Sequence, residues 1–292
     1  MHLRTILLPT GVCLTVLSPA RAFAQDVRAE LLAADRAASA LSSDSGLIQV
    51  LKKSSDARGV LLWPGAPVLF GAGEAQRMLL RSDQDSTRLV WQPLGVEFAA
   101  DSTMGVSWGV AVTAPRFQPS SPHIGRYTAV WHRGPSAWTI SALVFMNLKT
   151  SVSKRPAGVP LSRTPIKPSG PAGPFLAADL AFAQQARDSG AVSAFKTWAA
   201  RDAFVIGGVL ARGPEAIARG VEGPALWRWH PVAAGSSRLG DLGWTVGEAV
   251  ISPAGEEANY SKYLTVWIRQ ENSIRFLTDA GNPRPAVATP GE

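Results

Sequence analysis

Apolar residues recur at Val27, Leu31, Ala34, Ala38 and Leu41, three or four positions apart with polar residues between them. That period predicts an amphipathic helix. A second short helix is expected after Gly46, then an extended piece over 59–70. A third helix begins near Gly73-Glu74-Ala75, with its acidic residue in the first turn. Strand-like runs follow at 89–98, 105–113, 125–133 and 137–146. The same order then returns: helices after 175 and after Gly190, an extended piece over 203–210, and a helix at Gly213-Pro214-Glu215-Ala216-Ile217. Further strand-like runs lie at 226–233, 243–251, 260–269 and 273–280. Helices first and strands afterwards predict an α+β fold, with helices covering one face of an antiparallel sheet.

The recurrence is an internal repeat. A shift of 144 places Leu31–Gly46 on Phe175–Gly190 with eight of sixteen positions identical. A shift of 138 pairs Trp91 and Pro93 with Trp229 and Pro231, and Gly105 and Gly109 with Gly243 and Gly247. A shift of 136 pairs Tyr127, Val130, Trp131 and Arg133 with Tyr263, Val266, Trp267 and Arg269. The offset falls only across Pro/Gly-rich stretches, such as Trp63-Pro64-Gly65-Ala66-Pro67, which the first copy alone carries. Indels confined to turns are what a duplicated fold tolerates.

Between the copies, segment 149–174 holds Pro156, Pro160, Pro165, Pro168, Pro171 and Pro174. Such density favours extended polyproline geometry, so a linker is expected, able to span ~80 Å at ~3.1 Å per residue. Ahead of the first copy, Arg4, a short apolar run over 6–17 and the A-x-A site Ala22-Phe23-Ala24 read as a secretory signal. The expected organisation is a signal peptide at 1–24, a first domain at 25–148, the linker at 149–174, a second domain at 175–285 and a flexible tail at 286–292. The expected location is periplasmic or secreted. No stretch is apolar for the ~20 residues that span a bilayer, so the chain is not expected to cross a membrane.

Composition changes this picture little. The single cysteine, Cys13, lies inside the signal, which leaves the mature chain without a thiol nucleophile or a disulfide. The formal charge of +7 falls to +5 without Arg4 and Arg21, and the linker alone carries Lys149, Lys154, Arg155, Arg163 and Lys167 with no acid. The rest of the mature chain therefore sums to zero, and nucleic-acid binding by the domains is not expected.

Four runs resemble the SnoaL-like branch (domain of unknown function 4440) of the nuclear transport factor 2-like superfamily. They are Leu176–Asp179 (L-A-A-D), Gly213–Ile217, Tyr263–Arg269 (Y-x-x-V-W-x-R) and Asp279–Pro285. The resemblance covers nearly the whole mature chain, twice. It implies two cone-shaped domains, each a curved antiparallel sheet wrapped around about three N-terminal helices, with a pocket in the mouth of the cone. Members of the superfamily are isomerases, cyclases, dehydratases or proteins of unknown activity, and they commonly pair through the outer face of the sheet. The long linker permits the two copies to pair in that way as a pseudo-dimer within one chain. A homodimer is the alternative.

The candidate chemistry is sparse. Gly105-Val106-Ser107-Trp108-Gly109 matches G-x-S-x-G, but a nucleophile elbow needs a sharp strand-to-helix turn. Here Val106, Trp108, Val110 and Val112 alternate through the motif as in a strand. The mature histidines His123, His132 and His230 lack ligand spacing, so no metal site and no cofactor are expected. The resemblance to the isomerases implies a carboxylate after the first extended strand; Val60–Trp63 and Val205–Gly208 carry none. The cyclase-like members imply an acid on a late strand, where Asp279 stands. Counting by two puts Arg275, Leu277 and Asp279 on one face of that strand. Arg275 is then an alternative ion-pair partner for it, and Val144 aligns with it in the first copy.

Trp229, His230, Tyr263 and Trp267, with counterparts Trp91, Tyr127 and Trp131, could stack on a ligand or simply pack the core. Asp35 and Asp179, kept in both first helices, fit structural contacts better. The expectation is a non-catalytic protein with a small apolar or aromatic ligand in the second domain. The alternatives are a cyclase, dehydratase or hydrolase using Asp279 as acid or base, and an interaction module with filled cones.

Overall fold

A computed structural model of the chain describes residues 19–81, 87–115, 122–146, 172–206, 210–270 and 273–286. Most of the expected signal peptide and linker, and the tail from 287, lie outside the described residues. The first half consists of α1 (Pro19–Ser45), α2 (Leu47–Ser54), β1 (Ser55–Leu62), β2 (Val68–Phe70), α3 (Gly71–Arg81), β3 (Thr87–Phe98), β4 (Met104–Pro115), β5 (His123–Arg133) and β6 (Trp138–Met146). The second half repeats it as α4 (Gly173–Ser189), α5 (Ala191–Trp198), β7 (Ala199–Ile206), β8 (Leu210–Arg212), α6 (Pro214–Arg219), β9 (Ala225–Ser236), β10 (Leu242–Pro253), β11 (Asn259–Gln270) and β12 (Ser273–Pro283).

Each half forms one six-stranded sheet, ordered β2-β1-β6-β5-β4-β3 and β8-β7-β12-β11-β10-β9. The two orders are identical position by position. The sheets are mixed rather than wholly antiparallel, because β1 runs parallel to β6 and β7 parallel to β12. Alternation reports which residues face inward, not the direction of the neighbouring strand, and the chain enters each sheet beside its last strand.

The helices fill the inner face of each sheet. In the first domain Leu31, Val50, Leu61, Trp91, Trp131 and Phe145 share one buried cluster. In the second, Phe175, Phe182, Phe195, Trp267 and Phe276 form its counterpart. Equivalent glycines let the first helix of each domain approach: a Cβ on Gly105 would lie 2.6 Å from Leu31, and one on Gly243 would lie 2.3 Å from the Phe175 ring. Neither distance is open to a real side chain, so a glycine there is a packing requirement.

The repeat extends to irregularities. A β-bulge skips Ser141 where β5 pairs with β6, and another skips Leu277 where β11 pairs with β12. Each bulge shifts the inward phase of its strand by one residue. Consequently Phe276 shares the inner face with Asp279, while Leu277 joins the cluster on the outer face. Counting by two without the bulge misplaces both Arg275 and Leu277.

The outer faces meet. Val60, Val106, Val130 and Val144 of the first sheet share an apolar cluster with Phe204, Trp244, Val246 and Leu264 of the second. Trp108 and Phe204 approach to 4.5 Å between ring centroids. At one end, equivalent turns exchange hydrogen bonds. Ala100 N donates to Asp241 Oδ2 (2.7 Å), Leu239 N donates to Asp101 Oδ2 (2.9 Å) and Arg238 N donates to Thr103 Oγ1 (3.0 Å). At the other end, Asn282 Nδ2 donates to the carbonyls of Leu62 (2.8 Å) and Phe145 (2.7 Å). Among the described residues, no helix is long and apolar enough to cross a membrane.

Candidate functional site

Each domain buries one carboxylate from its first helix against two aromatic donors. Trp91 Nε1 and Tyr127 OH each donate to Asp35 at 2.6 Å. Trp229 Nε1 and Tyr263 OH each donate to Asp179 at 3.0 Å. Both carboxylates are fully buried. Burial pushes Asp35 up, and pushes Asp179 up to about 7 against the opposing effect of its donors. A second pair of repeated bonds anchors the remaining indoles: Trp131 Nε1 donates to Ser107 and Trp267 Nε1 to Thr245, both at 2.8 Å. Ser107 is thus a buried acceptor in the middle of β4, far from the exposed tip of a nucleophile elbow.

Around this shared frame the two cones differ. Strand register makes Leu61, Leu69, Leu143 and Phe145 equivalent to Val205, Ala211, Asp279 and Gly281. All four first-domain residues are buried. Phe145 packs edge-on to Trp63 and Trp91 at 5.6 and 5.7 Å between centroids. The equivalent of Asp279 is therefore Leu143, on the inner face; Val144 belongs to the outer face and the contact between domains. Four smaller or polar residues in place of three leucines and a phenylalanine leave the second cone open. A cavity of about 830 Å³ lies there, with Phe182, Trp227, Trp229 and Tyr263 on its walls.

Asp279 and Thr265 also line this cavity. Thr265 Oγ1 donates to Asp279 Oδ1 at 2.6 Å, and Asp279 stays half-buried. Burial raises its pKa to about 6, against the lowering effect of the Thr265 bond. Among the described residues, no Lys, Arg or His forms an ion pair with it. Arg275 in particular stacks over Trp198, 5.8 Å from the ring centroid, and donates to the Ile274 carbonyl.

Of the residues singled out from sequence, Trp229, Tyr263 and Asp279 come together on one cavity. His230 does not join them, since it follows Trp229 on β9 and is exposed on the opposite face. Trp267 is wholly buried behind the wall, and Trp91, Tyr127 and Trp131 pack the core of the first domain. Sequence reading missed Thr265, Trp227 and Gly281. The signal for Gly281 was present, because the offset of 136 that pairs Tyr127 with Tyr263 also pairs Phe145 with Gly281.

No group of His, Cys, Asp and Glu among the described residues has the geometry to hold a metal ion.

No protein-family model matches the chain. No curated protein matches it either. Solved structures similar to it include an NTF2-like protein with a cystatin-like fold from Novosphingobium aromaticivorans, 16% identical, covering 47% of this chain and 91% of that one at a TM-score of 0.35. A ketosteroid isomerase-like protein from Erwinia carotovora atroseptica is 15% identical and covers 40% of this chain and 95% of its own, at a TM-score of 0.33. An NTF2-like protein of unknown function from Pseudomonas putida is 14% identical, covering 37% and 82% at a TM-score of 0.32. Each of the two tandem domains here is an α+β unit, an open six-stranded sheet with its helices packed on the inner face.

Proposed function

We propose that the second domain binds a small molecule with an apolar or aromatic body, while the first domain is a filled copy that serves as its support. The replacement of Leu61, Leu69, Leu143 and Phe145 by Val205, Ala211, Asp279 and Gly281 carries this reading. A core that merely lost those side chains would forfeit several kcal/mol of packing, about 2–5 for each large-to-small change. An open cone with aromatic walls and few polar groups is instead the ordinary form of a ligand site. In this reading the contact between the outer faces is an intrachain pseudo-dimer that holds the cone rigid.

The test uses 2-(2-naphthyl)ethanol, a neutral aromatic probe, followed by calorimetry. The probe is expected to bind the unaltered chain at one site. Ala211→Leu combined with Gly281→Phe, which restores two first-domain residues, is expected to abolish that binding while circular dichroism stays unchanged. Binding that survives in the refilled cone would remove the reading.

The protein acts, on the same reading, as an exported one, supported by the A-x-A site at Ala22–Ala24. The mature chain recovered from cells should begin at Gln25 by mass; an intact N terminus would count against export.

A second reading, in which Asp279 serves as acid or base for a cyclase, dehydratase or hydrolase-type reaction, is favoured by one observation. A carboxyl with a pKa of about 6, open to a cavity, suits proton transfer near neutral pH.

A further inference from the structure

We infer that the ligand of the second cone is a cation: a protonated amine on an apolar or aromatic body, with the ammonium group against Asp279. The inference rests on the ligand-binding reading above and concerns the charge that the cavity asks for.

Asp279 replaces Leu143 of the first domain, so the change that opened the cone also introduced an anion into it. Its hydrogen-bond partner among the described residues, Thr265, is neutral. An ionised carboxylate in such a place is costly unless a positive group completes it. The protein's own cations near the cavity do not meet that need. Lys262 lies on the strand face opposite Tyr263, fully buried, with its ammonium held by Asn282 Oδ1 and by the Pro283 carbonyl at 2.8 Å. Burial drives its pKa well below the usual value, with the nearby Arg284 adding to the effect. Arg284 is turned to Glu248, 3.4 Å away, and stacks over Tyr260. Arg219, at the rim, is exposed to solvent.

The charge buried behind the cavity wall is an acid as well. Asp179 stands behind Tyr263 and Trp229 and feels the charge of Asp279. Asp179 does not line the cavity, so Asp279 is the carboxylate that faces it. The walls suit the same ligand, because Trp227, Trp229, Tyr263 and Phe182 line the cavity and the face of an aromatic ring attracts a desolvated cation. A neutral hydroxyl could donate a hydrogen bond to Asp279 but would leave its charge uncompensated. An anionic ligand would meet the like charge of Asp279.

Three matched probes separate these cases on the whole chain: 2-(2-naphthyl)ethylamine, 2-(2-naphthyl)ethanol and 2-naphthylacetate. Calorimetry at pH 7.5 should show the amine binding at least roughly tenfold tighter than the alcohol, the scale of one hydrogen bond to a charged group. The acetate should bind weakest. The preference for the amine should shrink at pH 5, where Asp279 takes up a proton, and should vanish in Asp279→Asn, in which amine and alcohol are expected to bind alike. Equal binding of amine and alcohol, or tighter binding of the acetate, would overturn the inference and leave the apolar pocket standing. An amine preference that persists in Asp279→Asn would remove Asp279 from the role. Failure of both amine and alcohol to bind would take the pocket reading down as well.

Discussion

At the scale of the residue, Asp279 puts a carboxyl where the first copy has Leu143. Its folded pKa of about 6 stands above the ordinary 3.8, with burial as the cause. The sign of the linkage follows. Between the two values the folded chain holds a proton that the unfolded chain has released, so stability falls as pH rises from about 4 to about 6 and then levels off. At neutral pH this position therefore costs stability, by about 1–3 kcal/mol for a shift of roughly two units. Asp279→Asn keeps an acceptor for Thr265 and removes the charge. The variant should unfold later than the parent in urea at pH 7.5 and match it at pH 4. A variant that is less stable at pH 7.5 would show that an unseen positive partner already satisfies Asp279. Part of the pH slope should survive, because Asp179, held up to about 7, still titrates. Its pKa should drop somewhat once the neighbouring charge is gone. On the proposed reading, the stability given up at this carboxyl is offset when an ammonium ligand supplies the missing partner.

At the scale of the element, much was legible in the sequence, and what was not has definite causes. The helical period of α1 and the alternation in β4 follow from burying one face, so they appear in the residues themselves. The duplication was legible because identical backbone demands recur. One case is the tight turn with a positive φ at Ser102 and, 138 residues later, at Gly240. The direction of β1 beside β6 was not, since a strand's neighbour is chosen by the whole sheet. The bulge at Leu277 was not either. It shifts the phase by one, and only pairing with β11 reveals that Phe276 rather than Leu277 looks inward. The error over Val144 has the same root, because a one-residue slip in alignment exchanges the inner and outer faces of a strand. The candidate site was therefore half legible: the acid and two of its aromatic neighbours could be found from sequence, while His230 and Trp267 fell on the wrong side of a wall. Residues whose absence makes a cavity leave only a faint trace. Gly281 was visible solely as the mismatch with Phe145.

At the scale of the whole molecule, the two cones are coupled through the strand that carries the site. The end of β12 forms cavity wall at Asp279 and Gly281, and one residue later Asn282 reaches the first domain through Leu62 and Phe145. Asn282 is buried, and its amide oxygen also accepts from the buried Lys262. Asn282→Ala would leave two carbonyls without their donor and deprive an ammonium group of an acceptor, in a place water reaches poorly. Each unmet buried group costs about 1–3 kcal/mol, so a loss of roughly 2–4 kcal/mol is expected. The apolar contact between the sheets predicts that the parent melts as one unit by calorimetry, despite having two cores. Weakening that contact should have a second effect in Asn282→Ala: the single transition should split, with the second domain melting first because its cone is the emptier. Two well-separated transitions already present in the parent would show that the domains fold independently. In that case the filled copy would not brace the open one.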